Sequence, residues 1–385
     1  MKVLVAEKIA EGGIELLKRE FDVDVITGMS PEELVAAIPA YDGLIVRSAT
    51  KATREVIEAG VNLKIVGRAG VGVDNVDVAA ATERGIIVCN APTSNIVSAA
   101  EHTIALLMAQ VRNIPQANAS MHSCKWERSK FTGTEVLDKT LGLVGLGRIG
   151  TLVAERAKGL GMKIVAYDPY ITEERAAQLG IGYAGSLDEL LSQADFITVH
   201  LPKTKETIGM FGDEQFAKMK DGVRLVNTAR GGIYQEAALI KALESGKVAS
   251  AGIDVYEVEP CTDSPLFAFE QVIVTPHLGA STEEAQDRAG EQIAEYVAAG
   301  LRGDMVPTAV NIAPVPPEVM EAVGPFIPVA EGLGKGIAQI ARGPVSEIEV
   351  HFIGHLAELD TRILKTAMLK GLLTVVTQDA INFVN

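Results

Sequence analysis

The stretch from Leu141 to Asp168, LGLVGLGRIGTLVAERAKGLGMKIVAYD, constrains the fold more than any other part of the chain. Leu141 to Val144 is an apolar run with the length of a buried parallel strand. It runs into Gly145-Leu146-Gly147-Arg148-Ile149-Gly150, a G-x-G-x-x-G turn. Thr151 to Leu160 then repeats apolar residues at helical spacing, and Lys163 to Tyr167 reads as a second strand. Asp168 ends that strand at the separation, about 20 residues, at which an acid meets the ribose of a dinucleotide. A lone glycine turn is weak evidence, but here each part has its own physical job. Gly145 permits a tight turn, Gly147 lets a pyrophosphate approach the backbone, and Gly150 lets helix and strand pack closely. The helix N-terminus offers free N–H groups to the phosphates. An ordinary βαβ unit with glycines at its turn needs none of this agreement. Asp168 also bears on cofactor choice, because a 2′-phosphate about 4 Å from a carboxylate costs about 4 kcal/mol at an effective dielectric near 20. The sequence favours NAD over NADP.

With 385 residues the chain has room for two or three domains, and its 48% hydrophobic and 22% charged residues are those of a globular protein. Cys89, Cys124 and Cys261 are scattered and odd in number, with no C-x-x-C pair. That pattern suits reduced thiols in a cytoplasm and neither a zinc site nor a disulfide framework. There is no 18-residue apolar span, and MKVLVAEKIAEGG opens with a strand, Val3 to Ala6, instead of a signal-peptide core. A net charge of −15 argues against nucleic acid or an anionic membrane as partner. It leaves an anionic substrate open, provided that local arginines receive it, since screening acts over about 8 Å at physiological salt.

Residues 1 to 97 alternate strand and helix signals, with strands expected at Val23–Ile26, Gly43–Val46, Lys64–Val66 and Ile86–Val88. Ser30-Pro31-Glu32-Glu33 has the residues of a helix start: serine as N-cap, proline at N1, glutamate at N3. Polar groups sit at three strand ends, where open α/β sheets bind ligands. They are Arg47-Ser48, the loop from Arg68 through Gly70-Val71-Gly72 to Asn75, and Asn90 to Ser98. Ser98-Ala99-Ala100-Glu101 reads as a capping box before an apolar helix, Ile104 to Val111, and a second helix restarts at Pro115. Lys125-Trp126-Glu127-Arg128-Ser129-Lys130 follows, a basic arm with the only tryptophan of the chain. The α/β alternation resumes after Asp168, with strands at 196–200, 224–227, 252–255 and 272–275, and the helix Thr282–Leu301 crosses back. The expected organisation is a discontinuous substrate domain (1–97 and 282–312), a dinucleotide domain (98–281), and a linker with part of a third domain (313–385). Ala313-Pro314-Val315-Pro316-Pro317 is the linker, and the absence of a terminal cap suggests a missing last domain. The fold class is α/β, two doubly wound parallel sheets plus the start of an α+β domain.

Three later strand ends carry the residues of a hydride-transfer site. Asn227-Thr228-Ala229-Arg230-Gly231-Gly232 places a guanidinium fork where it can hold a carboxylate. Gly252 to Pro260 brings Asp254, Glu257 and Glu259, and Thr275-Pro276-His277 puts an imidazole at the last strand. Oxidising a 2-hydroxy acid needs a base for the hydroxyl proton, a cation for the carboxylate and an acid that supports the base. His277, Arg230 and Glu259 supply one of each. Of the other histidines, His102 reads as a satisfied core residue and His200 as structural or pocket-lining. His351 and His355 have i,i+4 spacing, but Ile348–Phe352 reads as a strand and Gly354 breaks it, which does not suit a metal pair, and no metal is expected.

With these pieces in place the sequence resembles the D-2-hydroxyacid dehydrogenase family, and within it the long branch acting on 3-phospho-D-glycerate. The motifs are GRAGVGVDNVD (67–77), KWERSKFTGTE (125–135), GLGRIG (145–150), NTARGGI (227–233), GIDVYEVEP (252–260) and PHLGAST (276–282). The resemblance implies a Rossmann domain inserted into a flavodoxin-like substrate domain, with substrate entering between them. It implies that Arg230 binds the substrate carboxylate and that Glu259 pairs with His277, the proton acceptor. For NAD it implies Gly145, Gly147, Arg148, Ile149, Gly150 and Asp168 at the pyrophosphate and ribose. Thr228, Ala229, Arg230, Asp254 and the turn from His277 through Gly279 to Ala280 would line the nicotinamide side. For substrate it implies Arg47 with Ser48, the Gly70-Val71 backbone and Asn95, with Arg128 or Lys130 reaching a phosphate in a partner subunit. It further implies a homodimer through the NAD-binding domain, with a tetramer also open. Val71 and Leu201 stand where relatives can carry a hydroxyl that touches the cofactor, so only their backbones are assigned. The expected reaction is NAD-dependent oxidation of 3-phospho-D-glycerate. The alternatives are a hydroxypyruvate or glyoxylate reductase and, in another class, an NAD-sensing corepressor.

Overall fold

The structure is a computed structural model that describes residues 1–312, 317–341, 347–377 and 381–384. Residues 313–316 of the expected linker lie outside them, as does the terminal Asn385. The chain forms two units, Met1–Ser94 with Gln286–Asn385, and Asn95–Ala285.

The first unit is built on β1 (Lys2–Val5), β2 (Asp22–Val25), β3 (Gly43–Val46), β4 (Ile65–Arg68) and β5 (Ile87–Asn90). All pair in parallel, in the order β2-β1-β3-β4-β5. This is the flavodoxin-like order, whose ligand crevice lies at the β1/β3 reversal. Helices α1 (Glu11–Lys18), α2 (Pro31–Ala37), α3 (Arg54–Ala59) and α4 (Val78–Glu83) connect the strands. Strand alternation sorts the apolar residues onto two faces. Val3, Val5, Ile45 and Ile65 pack against Ile293 and Val297 of a later helix, whereas Leu4, Leu44, Val46 and Val66 pack under Leu34, Ile38 and Val56. Each such fully buried side chain contributes about 1.5–3 kcal/mol. The start of α2 forms as its residues demand: Ser30 accepts from Glu33 N, and Glu33 Oε2 accepts from Ser30 N.

The second unit opens with α5 (Ile96–Val111) and α6 (Ile114–His122). Then come β6 (Thr140–Val144), α7 (Arg148–Gly159), β7 (Lys163–Tyr167), α8 (Glu173–Gln178) and β8 (Gly182–Tyr183). The second half holds α9 (Leu187–Gln193), β9 (Phe196–Val199), α10 (Asp213–Lys218), β10 (Val223–Asn227), α11 (Glu236–Glu244), β11 (Val248–Ile253) and β12 (Val272–Val274). The parallel sheet runs β12-β11-β10-β9-β6-β7-β8. The order reverses between β6 and β9, so the crevice for a ligand opens beyond their carboxyl ends. The capping box expected at Ser98 does not form. Asn95 stands at the N-cap without a side-chain cap, and Ser98 lies buried inside α5.

The helix α12 (Glu283–Arg302) is followed in the first unit by α13 (Pro317–Val323), α14 (Ile327–Ile340) and α15 (Arg362–Val376). Helices α14 and α15 approach closely, because a Cβ at Gly334 would collide with Met368 O and one at Gly371 with Glu331 O. Among the described residues past 312 there is no strand, and the one expected at Ile348–Phe352 is absent. Its alternation is still used: Ile348, Val350 and Phe352 pack against the apolar cluster of α15.

Candidate active site

The glycine turn joins β6 to α7, and its three glycines differ as their positions require. Gly145 has φ +100, and a Cβ there would come within 2.7 Å of His200 O. A Cβ on Gly150 would collide with Gly145 O. Gly147 is exposed, and a Cβ there would meet nothing within 4 Å. Packing does not explain Gly147, whose open space would admit a pyrophosphate, and it is the N-cap of α7, which has no side-chain cap on its first N–H groups. Arg148 is exposed beside it and Ile149 half-buried. Asp168, at the end of β7, accepts from Leu146 N at 2.8 Å and Tyr170 N at 2.9 Å. A carboxylate offers about four lone-pair sites, so about two remain for a ribose diol. His200 follows β9, its Nε2 3.1 Å from Thr198 Oγ1, and burial pulls its imidazole down to about 4. The residues therefore fit a dinucleotide.

Beyond β10, β11 and β12 the three later motifs become three loops. Buried Asn227 holds the first, its amide donating to Arg230 O and its Oδ1 accepting from Ala229 N, each at 3.0 Å. Arg230 is half-buried, with Nη1 on Ala229 O at 2.7 Å. Buried Thr228 turns its hydroxyl to Thr103 of α5 at 2.7 Å. Gly231 touches the second loop so closely that a Cβ would overlap Tyr256 O.

The carboxylates of that second loop take separate tasks. Asp254 is fully buried and accepts from Thr275 Oγ1 at 2.6 Å, Leu278 N at 2.7 Å and Gly279 N at 2.9 Å. Its burial alone would raise the carboxyl pKa. The bonds from His102, Thr275 and Leu278 outweigh that and hold it below the ordinary value. Glu257 and Glu236, at the start of α11, exchange bonds, each carboxylate Oε1 accepting from the other's backbone N–H. Glu259 alone meets the histidine, Oε2 lying 2.7 Å from His277 Nδ1 while Oε1 accepts from Tyr256 N at 2.9 Å. Burial pushes this carboxyl up too, but His277 and the Tyr256 N–H bring it below the usual range. His277 itself sits at φ +57, with its N–H on Asp254 O. Gly279 and Ala280 follow in the same turn, and Ser98 of α5 donates to Gly279 O at 2.9 Å.

The substrate residues expected in the first unit lie at the carboxyl ends of β3 and β4. Glu7, which follows β1, accepts from Arg47 N, Ala49 N and Thr50 N and so shapes the Arg47-Ser48 loop. Arg47 Nη1 rests on Lys8 O at 3.1 Å and Gln286 Oε1 at 3.4 Å. Gly70 has φ +153 beneath the Arg68 guanidinium, and Val71 O accepts from Asn90 Nδ2 at 2.6 Å. In the second unit Asn95 is half-buried with an Oδ1 that meets no donor. Arg128 and Lys130 are exposed on a 3₁₀ turn, Lys130 pairing with Glu127 at 2.6 Å, and Trp126 is 81% exposed. Leu201 packs its side chain against Gly145. Sequence reasoning missed Glu7, Ser98, His102, Thr103 and Gly231. An acid directly after an apolar strand marked Glu7; polar residues at i,i+4 on an apolar helix marked Ser98 and His102.

Among the described residues no three acids, histidines or cysteines gather as a metal site, and no helix is long and apolar enough to cross a membrane. Residues 104–279 match the family model described as D-isomer specific 2-hydroxyacid dehydrogenase, NAD binding domain. Residues 322–385 match the D-3-phosphoglycerate dehydrogenase intervening domain. The chain is 52% identical over 383 residues to the D-3-phosphoglycerate dehydrogenase of Mycobacterium leprae, covering 100% of this chain and 72% of that one. It is 49% identical over 387 residues to the enzyme of that name from Archaeoglobus fulgidus, covering 73% of it. Among solved structures, an NAD⁺-bound 3-phosphoglycerate dehydrogenase of Entamoeba histolytica superposes with a TM-score of 0.68 at 32% identity, covering 80% of this chain and 98% of that one. With a match that spans this whole chain at this identity and both family models in place, the chain belongs to the D-3-phosphoglycerate dehydrogenases of the D-isomer-specific 2-hydroxyacid dehydrogenase family.

Proposed function

We propose that the chain catalyses NAD-dependent oxidation of 3-phospho-D-glycerate to 3-phosphohydroxypyruvate, the first step of L-serine biosynthesis. The observation that carries the catalytic assignment is the 2.7 Å bond between His277 Nδ1 and Glu259 Oε2. With Nδ1–H donated to Glu259, Nε2 carries a lone pair and takes the proton of the C2 hydroxyl. The ionised Glu259 fixes that tautomer and stabilises the imidazolium as it forms. Arg230 holds the substrate carboxylate as a planar fork. Bound NAD, held by the glycine turn and Asp168, supplies the acceptor for the C2 hydride. A substrate panel tests the reading: NAD reduction with 3-phosphoglycerate is measured against glycerate and D-lactate, and NADH oxidation with glyoxylate. The phosphorylated acid should win clearly, and a preference for an unphosphorylated one would reassign the substrate.

For substrate we assign Arg47, Ser48, the Gly70-Val71 backbone and Asn95, with Arg128 or Lys130 serving the phosphate in a partner subunit. The Glu7-shaped loop and the partnerless Asn95 Oδ1 support this. Arg47→Ala should raise KM at least tenfold with kcat less affected, as expected for an arginine that makes a charge-assisted bond to substrate. We place the homodimer contact on the exposed arm around Trp126, in a cytoplasmic protein whose cysteines are free thiols. Trp126→Ala should shift the mass found by light scattering towards the monomer.

A further inference from the structure

Helix α5 presents Ser98 and His102, one turn apart, to the loop that carries His277. His102 is 18% exposed, and its Nε2 lies 3.2 Å from both Thr275 Oγ1 and Asp254 Oδ1. The donors in this group can be counted. The Thr275 hydroxyl has one proton and gives it to Asp254 Oδ1. The ionised carboxylate has none to give, so the proton between His102 and this pair belongs to His102 Nε2. That N–H is shared by Asp254 and Thr275, and among the described residues no lysine or arginine pairs with Asp254.

The carboxylate so held grips the catalytic turn at two consecutive amides, Leu278 N and Gly279 N, directly after His277. The same residue's carbonyl takes His277 N, so Asp254 spans the left-handed residue from both sides. Losing the His102 donor leaves this fully buried carboxylate short of one bond, and it shifts to recover it, taking with it the amides it grips. We propose that His102 is a positioning residue for proton transfer: through Asp254 and Thr275 it sets where the His277 imidazole stands, without touching substrate itself. This rests on the assignment of His277 as proton acceptor.

His102→Phe keeps the ring volume and removes the donor, and His102→Gln restores an N–H at about the reach of Nε2. In the full chain, His102→Phe should lower kcat for 3-phosphoglycerate about tenfold or more, since small misplacements of a reacting group have effects of this order. KM should stay within about twofold, because ground-state binding is not what the residue serves. His102→Gln should recover most of kcat even where its melting temperature matches that of His102→Phe. Turnover of His102→Phe within twofold of wild type would overturn the proposal, as would a loss that His102→Gln leaves unrepaired, which marks packing alone. Imidazole NMR of histidine-labelled protein separates this from the choice of substrate. The His277 resonances should move in His102→Phe and return in His102→Gln whichever acid is oxidised, and unmoved resonances would also overturn it. Wild-type protein inactive on every acid of the panel, with His277 resonances that still respond, would remove the assigned reaction and leave the positioning intact.

Discussion

His277 carries a backbone cost of about 1–2 kcal/mol for its left-handed conformation, since it has a Cβ and φ +57. A loop with no task for that side chain would relax or place glycine there. The bonds from Asp254 hold it, and the result is an imidazole presented at the sheet's end with Glu259 behind it. His277→Ala should lower kcat about 10²–10⁴-fold, the usual contribution of a positioned base, while NADH binding followed by fluorescence stays near wild type. Near wild-type turnover would remove His277 from the mechanism. His200 gives a pH prediction with a definite sign. Its folded-state value of about 4 lies below the ordinary 6.5, so the unfolded chain binds more protons between these limits. Stability is then full above about pH 6.5 and falls as the pH drops towards 4, by at most about 1.4 kcal/mol per pH unit from this one group. His200→Gln should flatten that part of a urea-denaturation series against pH. An unchanged slope would show that His200 is protonated as easily folded as unfolded.

The elements that anchor these residues were unequally legible. The strands with both faces buried, β1, β3 and β6, announce themselves as apolar runs. The start of α2 follows from Ser30, Pro31 and Glu33, because the capping chemistry is local. The same reasoning fails at Ser98, where a tertiary acceptor, Gly279 O, takes the hydroxyl. Strand β8 has only two residues, too few to show a period. The Ile348–Phe352 stretch has the alternation of a strand but no pairing partner among the described residues. Among the candidate site residues, the strand–turn–helix context of the glycine turn was legible because its spacing is local. The role of Gly231 was not, because it depends on Tyr256, which is distant in sequence. Gly231→Ala must push the Arg230 loop off the Glu259 loop, an overpacking that costs about 1–3 kcal/mol. A denaturant midpoint lowered accordingly, with kcat falling alongside, is the expected outcome. A variant with wild-type stability and kcat would show that the two loops tolerate separation.

On the scale of the molecule, the two parallel sheets follow from the alternation of strand and helix signals, while their strand orders depend on pairing between segments distant in sequence. The chain passes from one unit to the other just before α5 and again inside α12, at 94/95 and 285/286, where changes at 97/98 and 281/282 were expected. The 50 acids against 35 bases leave a net repulsion that the fold must bear. Raising salt from 0.01 to 0.15 M shortens the screening length from about 30 to about 8 Å, so the melting temperature should rise over that range. A fall would mean that the ion pairs of this surface outweigh its excess of acids. The clasp of Asp168 on Leu146 N and Tyr170 N has a consequence for cofactor engineering. Making room for the extra phosphate of NADPH calls for removing the acid at this position, which here also strips two amides of their acceptor. Asp168→Ala should lose affinity for NADH without gaining useful affinity for NADPH. A working redesign has to supply a neutral acceptor for the turn together with a cation for the extra phosphate.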